Sequence, residues 1–233
     1  MIFLSGDTHG SFSRIKEFCK EMNLGINDIF ILLGDTELNY HLGAKDNEKK
    51  EFLQNLGVTF FIIRGNHEKN PENMSIYNRI KYKGATALVQ LNYPNLIFAV
   101  DGEIYDLEDN GKKTIIIGGA YSIDKELRIN YGDRWFEDEQ PSEETMRKVE
   151  EKLRQNDWTV DYVLTHAAPL RYEPREWFLK WIDQKNVDKS TERWLDYIFS
   201  NLSFEKWYCA HYHGDKTIDK MRILYKGYCK LGE

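Results

Sequence analysis

Five of the six histidines in this chain share one feature of position, because each follows shortly after a short apolar run. They are His9, His67, His166, His211 and His213. Side chains with oxygen ligands stand in the same stretches, namely Asp7, Asp35 and Asn66. Imidazoles mixed with such oxygens, and with no thiolate nearby, suit manganese, iron or zinc rather than calcium or a soft copper site. The residue types therefore predict a metal centre if the fold brings these stretches together.

Three apolar runs in the first part of the chain predict the strands that would carry these residues. The runs cover residues 2–5, 29–33 and 58–63. Helices are predicted at 12–22, with Ser11 as the expected N-cap, and at 47–56. Strands that are apolar throughout and alternate with helices favour a sheet covered on both faces. Since strand carboxyl ends share one edge in such folds, the polar residues that follow the strands are expected to converge there.

The middle and the C-terminal half change pattern more than once. Short β-type runs at 87–91, 96–100, 104–107 and 114–118, with a turn at 109–111, predict a meander or a second sheet. A helix capped by Ser142, a strand at 162–164, helices at 175–182 and 191–202, and strands at 207–210 and 223–225 complete the prediction. Nothing resembles a linker or a repeat, so one domain over 1–233 is expected.

Composition restricts the classes of protein and partner. The chain has 233 residues, of which 41% are hydrophobic, which is enough to bury a core. Its formal net charge of -6 disfavours nucleic acid as a partner without excluding it. No apolar run approaches the roughly 20 residues that a bilayer span needs, so no membrane partner is expected. Cys19, Cys209 and Cys229 are too scattered for a disulfide framework, which favours a reducing, cytoplasmic location. The sequence indicates no oligomeric state.

Five short blocks, read in order, resemble the signature of the calcineurin-like metallophosphoesterases. They are Gly6-Asp7-Thr8-His9-Gly10, Gly34-Asp35, Gly65-Asn66-His67-Glu68, Thr165-His166 and Ala210-His211-Tyr212-His213. Each block alone would be a weak signal, because Gly-Asp and Gly-Asn pairs are common in turns. Together they extend over nearly the whole chain. The resemblance implies an α/β (α+β) fold in which two mixed β-sheets pack as a sandwich flanked by helices, in four layers.

The resemblance also implies a role for each residue of the blocks. Asp7, His9 and His213 correspond to the ligands of one metal ion. Asp35 corresponds to a carboxylate that bridges two metal ions, and Asn66, His166 and His211 to the ligands of the second. His67 is similar to the catalytic residue that lies beside the leaving group. The expected cofactors are two divalent metal ions, for which we favour manganese, with iron or zinc as alternatives.

This inventory suits phosphoryl transfer. Two divalent cations, two carboxylates and a bridging hydroxide together leave about one positive charge, which attracts a phosphate even to an acidic chain. We therefore expect a phosphoesterase that hydrolyses a phosphate ester by attack of metal-bridging hydroxide, and we favour a phosphomonoesterase. A phosphodiesterase or a nucleotide or dinucleoside polyphosphate hydrolase is the alternative, and a non-catalytic scaffold of the same fold is a third. The expected substrate is a phosphorylated small molecule, a nucleotide or a phosphoprotein.

Two positions depart from the family pattern. Leu38 stands where the family usually has the aspartate that orients the catalytic histidine, so Glu37, Asn39 and Glu68 are the candidates for that role. Ala210 replaces the usual glycine of the last block.

Two further segments have open interpretations. Residues 121–135 lack clear periodicity and are expected to form a loop that governs substrate choice. Arg128 in that loop is either a bidentate phosphate contact or part of a surface salt bridge. In the predicted helix 175–182, an aromatic stripe favours core packing over a surface that faces substrate; its members are Trp177, Phe178, Trp181 and Ile182.

Overall fold

The computed structural model describes all residues from 1 to 233. Its strands are β1 (Ile2–Ser5), β2 (Ile29–Leu32), β3 (Thr59–Ile62), β4 (Asn78–Tyr82), β5 (Ala85–Val89), β6 (Leu96–Ala99), β7 (Ile104–Tyr105), β8 (Thr114–Ile117), β9 (Tyr162–Thr165), β10 (Lys206–Cys209), β11 (Lys216–Ile218), β12 (Met221–Ile223) and β13 (Cys229–Lys230). Its α-helices are α1 (Ser13–Glu21), α2 (Ala44–Gln54), α3 (Lys125–Tyr131), α4 (Glu143–Gln155) and α5 (Ser190–Asn201).

The strands form two mixed sheets. The first has the order β13-β1-β2-β3-β6-β5-β4, and the second has the order β11-β12-β10-β9-β8-β7. Each has a parallel centre, formed by β1, β2, β3 and β6 in the first sheet and by β8, β9, β10 and β12 in the second. Antiparallel strands flank both centres. The carboxyl ends of the central strands therefore define one edge in each sheet.

Side chains along a central strand point alternately to the two faces of the sheet, and this alternation explains why each sheet packs against a different layer on each face. In β2, Ile29 and Ile31 enter a core of 21 buried residues that also contains Leu164 and Tyr208 of the second sheet. Residues between them in sequence face the other way: Phe30 and Leu32 of β2 pack with residues of α1 and α2. A third core joins the second sheet to α4 and α5. The order helices, sheet, sheet, helices confirms the predicted α/β sandwich of two mixed sheets.

The middle of the chain is shared between the two sheets, so neither a meander nor a second sheet describes it alone. Strands β4, β5 and β6 continue the first sheet, whereas β7 and β8 form an antiparallel pair in the second. The turn predicted at 109–111 lies between β7 and β8, with positive φ at Asp109 and Gly111. Ser142 caps α4 as predicted, because its side chain accepts a hydrogen bond from the backbone N–H of Thr145.

Several predicted elements are wrong. The helix expected at 175–182 is a single 3-10 turn, Arg175–Trp177, followed by irregular chain. Here Trp177 lies so close to Gly214 that a Cβ there would come within 2.5 Å of the indole ring, and Phe178 stacks on Tyr212. These contacts hold the two aromatic residues against the second sheet, whereas Trp181 is 78% exposed. Tertiary contacts thus replace the stripe that suggested a helix.

The segment 121–135, which was expected to be a loop, contains helix α3. This error is the opposite of the one at 175–182. None of the seven residues of α3 is buried, so the helix has no apolar face that periodicity could indicate. The helix ends at Gly132, which adopts the left-handed conformation. Helix α1 begins at Ser13, so Ser11 is not its N-cap. None of the helices is long and apolar enough to cross a membrane.

Candidate active site

All eight residues expected in the metal and catalytic site lie together where the central strands of both sheets end. Asp7 and His9 follow β1, Asp35 follows β2, and Asn66 and His67 follow β3. His166 follows β9 in the second sheet, and His211 and His213 follow β10. His9 and His213 are 204 positions apart in sequence, yet their Nε2 atoms are 2.9 Å apart.

The first group of candidate ligands is Asp7, His9 and His213, each with one ligand atom within 4.8 Å of the others. His213 Nε2 lies 3.3 Å from Asp7 Oδ2. Oδ2 is buried and has no hydrogen-bond partner, whereas Oδ1 accepts a hydrogen bond from the backbone N–H of His211. Burying an unpartnered carboxylate oxygen is costly, so its position beside two imidazoles fits a cation site.

The second group is Asp35, His166 and His211. His166 is fully buried, and its Nδ1 donates a hydrogen bond to the Leu33 carbonyl oxygen at 2.7 Å. Its other nitrogen, Nε2, then faces Asn66 Oδ1 at 2.9 Å and Asp35 Oδ1 at 3.4 Å. In a neutral imidazole this nitrogen accepts, so three lone pairs converge. A metal ion at this point, or a second proton on the ring, would satisfy all three atoms.

Ser122 contacts the Asn66 amide on the side away from His166. The Asn66 Nδ2 group donates to Ser122 Oγ at 2.9 Å, and Oδ1 faces His166. The backbone N–H of Ser122 donates in turn to the buried carboxylate of Glu139. The sequence reasoning did not assign Ser122 to the site, although a glycine pair directly after a strand, Gly118-Gly119, is a signal that could have indicated it.

Backbone geometry at the site is unusual. His9, Asp35, His211 and His213 all have positive φ angles, which non-glycine residues adopt mainly where the surrounding structure demands it. Strained backbone of this kind concentrates at functional sites.

The buried carboxylates of the site change the pKa values of the groups around them. Burial by itself lowers the pKa of His166, but the facing carboxylates outweigh it and raise that pKa to about 9. Burial raises the pKa of Asp7 to about 7, opposed by His166 and reinforced by Asp35. Burial also holds the pKa of His211 well below the ordinary histidine value. Two carboxylates, an amide oxygen and four imidazoles at this edge fit two divalent metal ions.

His67 lies next to these groups, and its partner is Arg128. Arg128 Nη2 is 2.6 Å from His67 Nδ1, and His67 Nε2 is 3.8 Å from Asp35 Oδ2. His67 also forms a third cluster with His9 and Asp35, in which one ligand atom of each lies within 4.8 Å of the others. Arg128 was expected to be either a phosphate contact or part of a surface salt bridge. It forms a salt bridge with Asp124 at 2.8 Å, and its contact with His67 was not anticipated.

None of the three residues suggested as partners of His67 holds its ring. Glu37 binds Lys49, Asn39 accepts hydrogen bonds from Lys50 and Tyr77, and Glu68 accepts from Thr36 and Gly65. Leu38 is completely buried in the core beneath α1 and α2.

A cavity of about 870 Å³ opens onto the site. Arg128 and Ser122 line one part of it, and the irregular segment after β9 lines another. Beyond the metal and catalytic candidates, its aromatic and acidic lining residues are Glu37, Tyr121, Asp124, Trp177, Phe178, Glu192 and Tyr212. His41 does not line the cavity and stacks edge-on against Tyr40. Cys19, Cys209 and Cys229 are buried and unpaired.

Two solved structures that the chain resembles are both remote from it. One crystal structure is 14% identical over 99% of this chain and 94% of its own, with a TM-score of 0.48. A protein of unknown function from Aquifex aeolicus is 22% identical over 39% of this chain and 59% of its own, with a TM-score of 0.23. Both scores are below 0.5, so neither adds to the interpretation of the site. No curated protein matches the chain.

The comparison with protein families is decisive. The family model described as calcineurin-like phosphoesterase matches residues 1–220, which include every block of the signature and every candidate ligand. The chain therefore belongs to the calcineurin-like phosphoesterases, and its clustered histidines and aspartates support a metal-dependent member of that family.

Proposed function

We propose that this protein is a phosphomonoesterase that depends on two divalent metal ions, with manganese as the favoured metal. The observation that carries the proposal is the convergence of His166 Nε2, Asn66 Oδ1 and Asp35 Oδ1 beside a cavity of about 870 Å³. When bound, the two cations would supply an activated water and the positive charge that holds a phosphate group.

The chain's own residues have distinct tasks in this proposal. Asp7, His9 and His213 would hold one cation, Asn66, His166 and His211 would hold the other, and Asp35 would serve both sites. His67 lies outside these sets, and its ring N–H donates a hydrogen bond to the departing oxygen of the ester, which stabilises the negative charge that develops there. Loss of one such donor typically costs about 10² to 10³ in rate.

Two observations favour a monoester as the substrate. Arg128 brings a fixed positive charge to the cavity beside His67, which suits a doubly charged monoester better than a singly charged diester. The net charge of -6 weighs against a nucleic acid polymer as a diester substrate.

A specific feature supports the alternative of a nucleotide or dinucleoside polyphosphate. Trp177, Phe178 and Tyr212 line the cavity, and flat aromatic rings are surfaces on which a nucleobase stacks. The three buried, unpaired cysteines support the proposal of a reducing cytoplasmic location.

The test is a substrate panel. The purified protein is stripped with a chelator and assayed with and without added Mn²⁺ on p-nitrophenyl phosphate, bis-p-nitrophenyl phosphate, nucleoside monophosphates and a dinucleoside polyphosphate. The Asp35→Asn variant, prepared in parallel, controls for contaminating phosphatases.

We expect manganese-dependent hydrolysis that is fastest on monoesters and absent in Asp35→Asn. Faster hydrolysis of the diester or of the dinucleoside polyphosphate would replace the monoesterase proposal with the alternative. Inactivity on every substrate, with metal bound, would identify a non-catalytic scaffold.

A further inference from the structure

The contact between Arg128 and His67 is part of a line of three side chains that begins on α3. Arg128 Nε donates to Asp124 Oδ2 at 2.8 Å, and Asp124 is the residue just before the helix. Nη1 donates to the Arg134 carbonyl oxygen at 3.3 Å, and Nη2 lies 2.6 Å from His67 Nδ1. The Arg128 side chain is 16% exposed, so the contact is largely shielded from water.

The guanidinium group favours one proton arrangement on the imidazole. Arginine has only donors, and the ring nitrogen nearer to Nη2 is Nδ1 at 2.6 Å, whereas Nε2 lies 3.5 Å away, so Nδ1 is the better acceptor. The ring proton of a neutral His67 is then on Nε2, the nitrogen that lies 3.8 Å from Asp35 Oδ2. The guanidinium therefore holds the ring in place and favours the neutral form that carries its proton on Nε2.

No other side chain in the structure performs this task. The position where the family usually has an aspartate is Leu38, which lies in the core. The other groups close to the ring are Asp35, whose Oδ2 lies 3.8 Å from Nε2, and His9, with ring centroids 5.1 Å apart. We propose that Arg128 is the positioning residue for His67 and that Asp124 and helix α3 are its support. This inference rests on the phosphoesterase function proposed above.

The same contacts bear on the alternative role of a phosphate clamp. A bidentate clamp needs two parallel N–H groups that point at the ligand. Three of the five N–H groups of Arg128 are engaged by Asp124, Arg134 and His67, so a phosphate would have to share the guanidinium with the His67 ring. In this proposal Arg128 affects the reaction through its contact with His67, and direct binding of the phosphate is the rival role.

A double-mutant cycle distinguishes the two roles. The variants are Arg128→Ala, His67→Ala and both together, with Arg147→Ala on the exposed side of α4 as the matched control. We expect Arg128→Ala to lower kcat on an alkyl phosphate about ten- to a hundredfold, with less effect on p-nitrophenyl phosphate, whose leaving group needs little protonation. In the His67→Ala background, the Arg128 substitution should cause no further loss beyond about twofold.

A second measurement does not depend on activity. Nitrogen NMR of the His67 ring, in the metal-free protein at alkaline pH, reports whether Nδ1 accepts a hydrogen bond. Arg128→Ala should move the Nδ1 resonance, Asp124→Asn should move it partly, and Arg147→Ala should leave it unchanged.

The outcomes are separable. Losses that multiply in the double mutant, together with a raised KM in Arg128→Ala, would overturn the positioning role and assign Arg128 to the phosphate. An unmoved Nδ1 resonance in Arg128→Ala would overturn it as well. A wild-type protein inactive on all substrates would refute the proposed function, whereas the NMR result would still decide the contact.

Discussion

Asp35 contacts several members of the candidate site through both its backbone and its side chain. Its backbone carbonyl accepts hydrogen bonds from the N–H groups of Thr8 and His9, and its Oδ1 accepts from the N–H of His67. It also belongs to two of the three clusters of candidate ligands. Loss of its charge therefore affects both proposed metal sites.

We predict that Asp35→Asn loses more bound metal than His67→Ala. The asparagine keeps the size of the side chain but removes the negative charge, whereas His67 lies outside the proposed ligand sets. Elemental analysis after manganese reconstitution measures the content, which should be close to two equivalents in the wild type and in His67→Ala, with His41→Ala as the control outside the site. Equal losses in Asp35→Asn and His67→Ala would show that the roles are divided wrongly.

Glu192 provides a pH-dependent term in stability. Glu192 is 2% exposed, and one of its carboxylate oxygens has no hydrogen-bond partner. Burial raises the pKa of this carboxyl group to about 7, compared with an ordinary value of 4.5. Lys189 opposes this shift, and Glu173 and Asp188 add to it. Between these two pKa values the folded chain binds more protons at this position than the unfolded chain does.

We predict that the contribution of Glu192 to the free energy of unfolding falls as pH rises from about 4.5 to about 7. The fall is at most about 3.4 kcal/mol, from 1.36 kcal/mol per unit of pKa difference. Glu192→Gln removes the titrating group, so the variant should gain stability over the wild type across this interval. Denaturant unfolding at several pH values measures the difference, and parallel curves for the two proteins would contradict it.

At the scale of elements, the loops after the strands fit together too closely for larger residues. A Cβ at Gly65, directly after β3, would lie 2.0 Å from Asp35 Oδ1 and 2.2 Å from the Asp35 backbone nitrogen. A Cβ at Gly34 would lie 2.2 Å from His166 Nδ1, and Gly34 also has a φ of +104°. These two glycines allow the loops of both sheets to approach one another.

We predict that Gly65→Ala displaces Asp35 and lowers both metal content and the thermal midpoint. Gly25→Ala is the matched control, because a Cβ at Gly25 would meet no atom within 4 Å. Metal analysis and thermal unfolding of the two variants provide the comparison. A Gly65→Ala protein with full metal content would mean that the loop relaxes without moving Asp35.

The elements that sequence predicted well are those whose burial is strong and regular. Strands β2 and β9 are buried at every position, and α4 has both a cap and an apolar face. Strand β4 was missed because it is largely exposed and its Arg79 and Lys81 face solvent. Helix α3 was missed because it buries nothing. A regular pattern of apolar residues thus allowed an element to be predicted, and the elements that lack such a pattern were missed.

The residues of the candidate site also fall into those that local sequence predicted and those that it did not. Short motifs after apolar strands brought all eight metal and catalytic candidates to one place. The contacts of Arg128 with His67 and of Ser122 with Asn66 depend instead on where α3 and the chain after β8 lie in space. No local pattern encodes that placement, so these partners required the structure.

At the scale of the whole molecule, each proposed metal site draws ligands from both sheets. Asp7 and His9 belong to loops of the first sheet and His213 to a loop of the second. Asp35 and Asn66 likewise face His166 and His211 across the same boundary. A bound cation would therefore link the sheets directly.

We predict that manganese raises the thermal midpoint of unfolding. A ligand that binds only the folded state adds about 2.7 kcal/mol to stability at a free concentration of one hundred times its Kd. Calorimetry of the chelated protein across a manganese titration measures the shift, and Asp35→Asn should lose most of it. A midpoint that does not depend on manganese, in a protein shown to bind it, would contradict the prediction.

The contact between His9 and His213 has a consequence for the order of events during synthesis. Strands β1, β2 and β3 leave the ribosome early, but the partner of His9 arrives only after 204 further positions. Until then the inner face of the first sheet has no second sheet to cover it, and Asp7 and His9 have no third ligand. If the proposed metal sites exist, complete metal loading would mark a chain whose two sheets have docked, and a misassembled chain would fail to retain the metal.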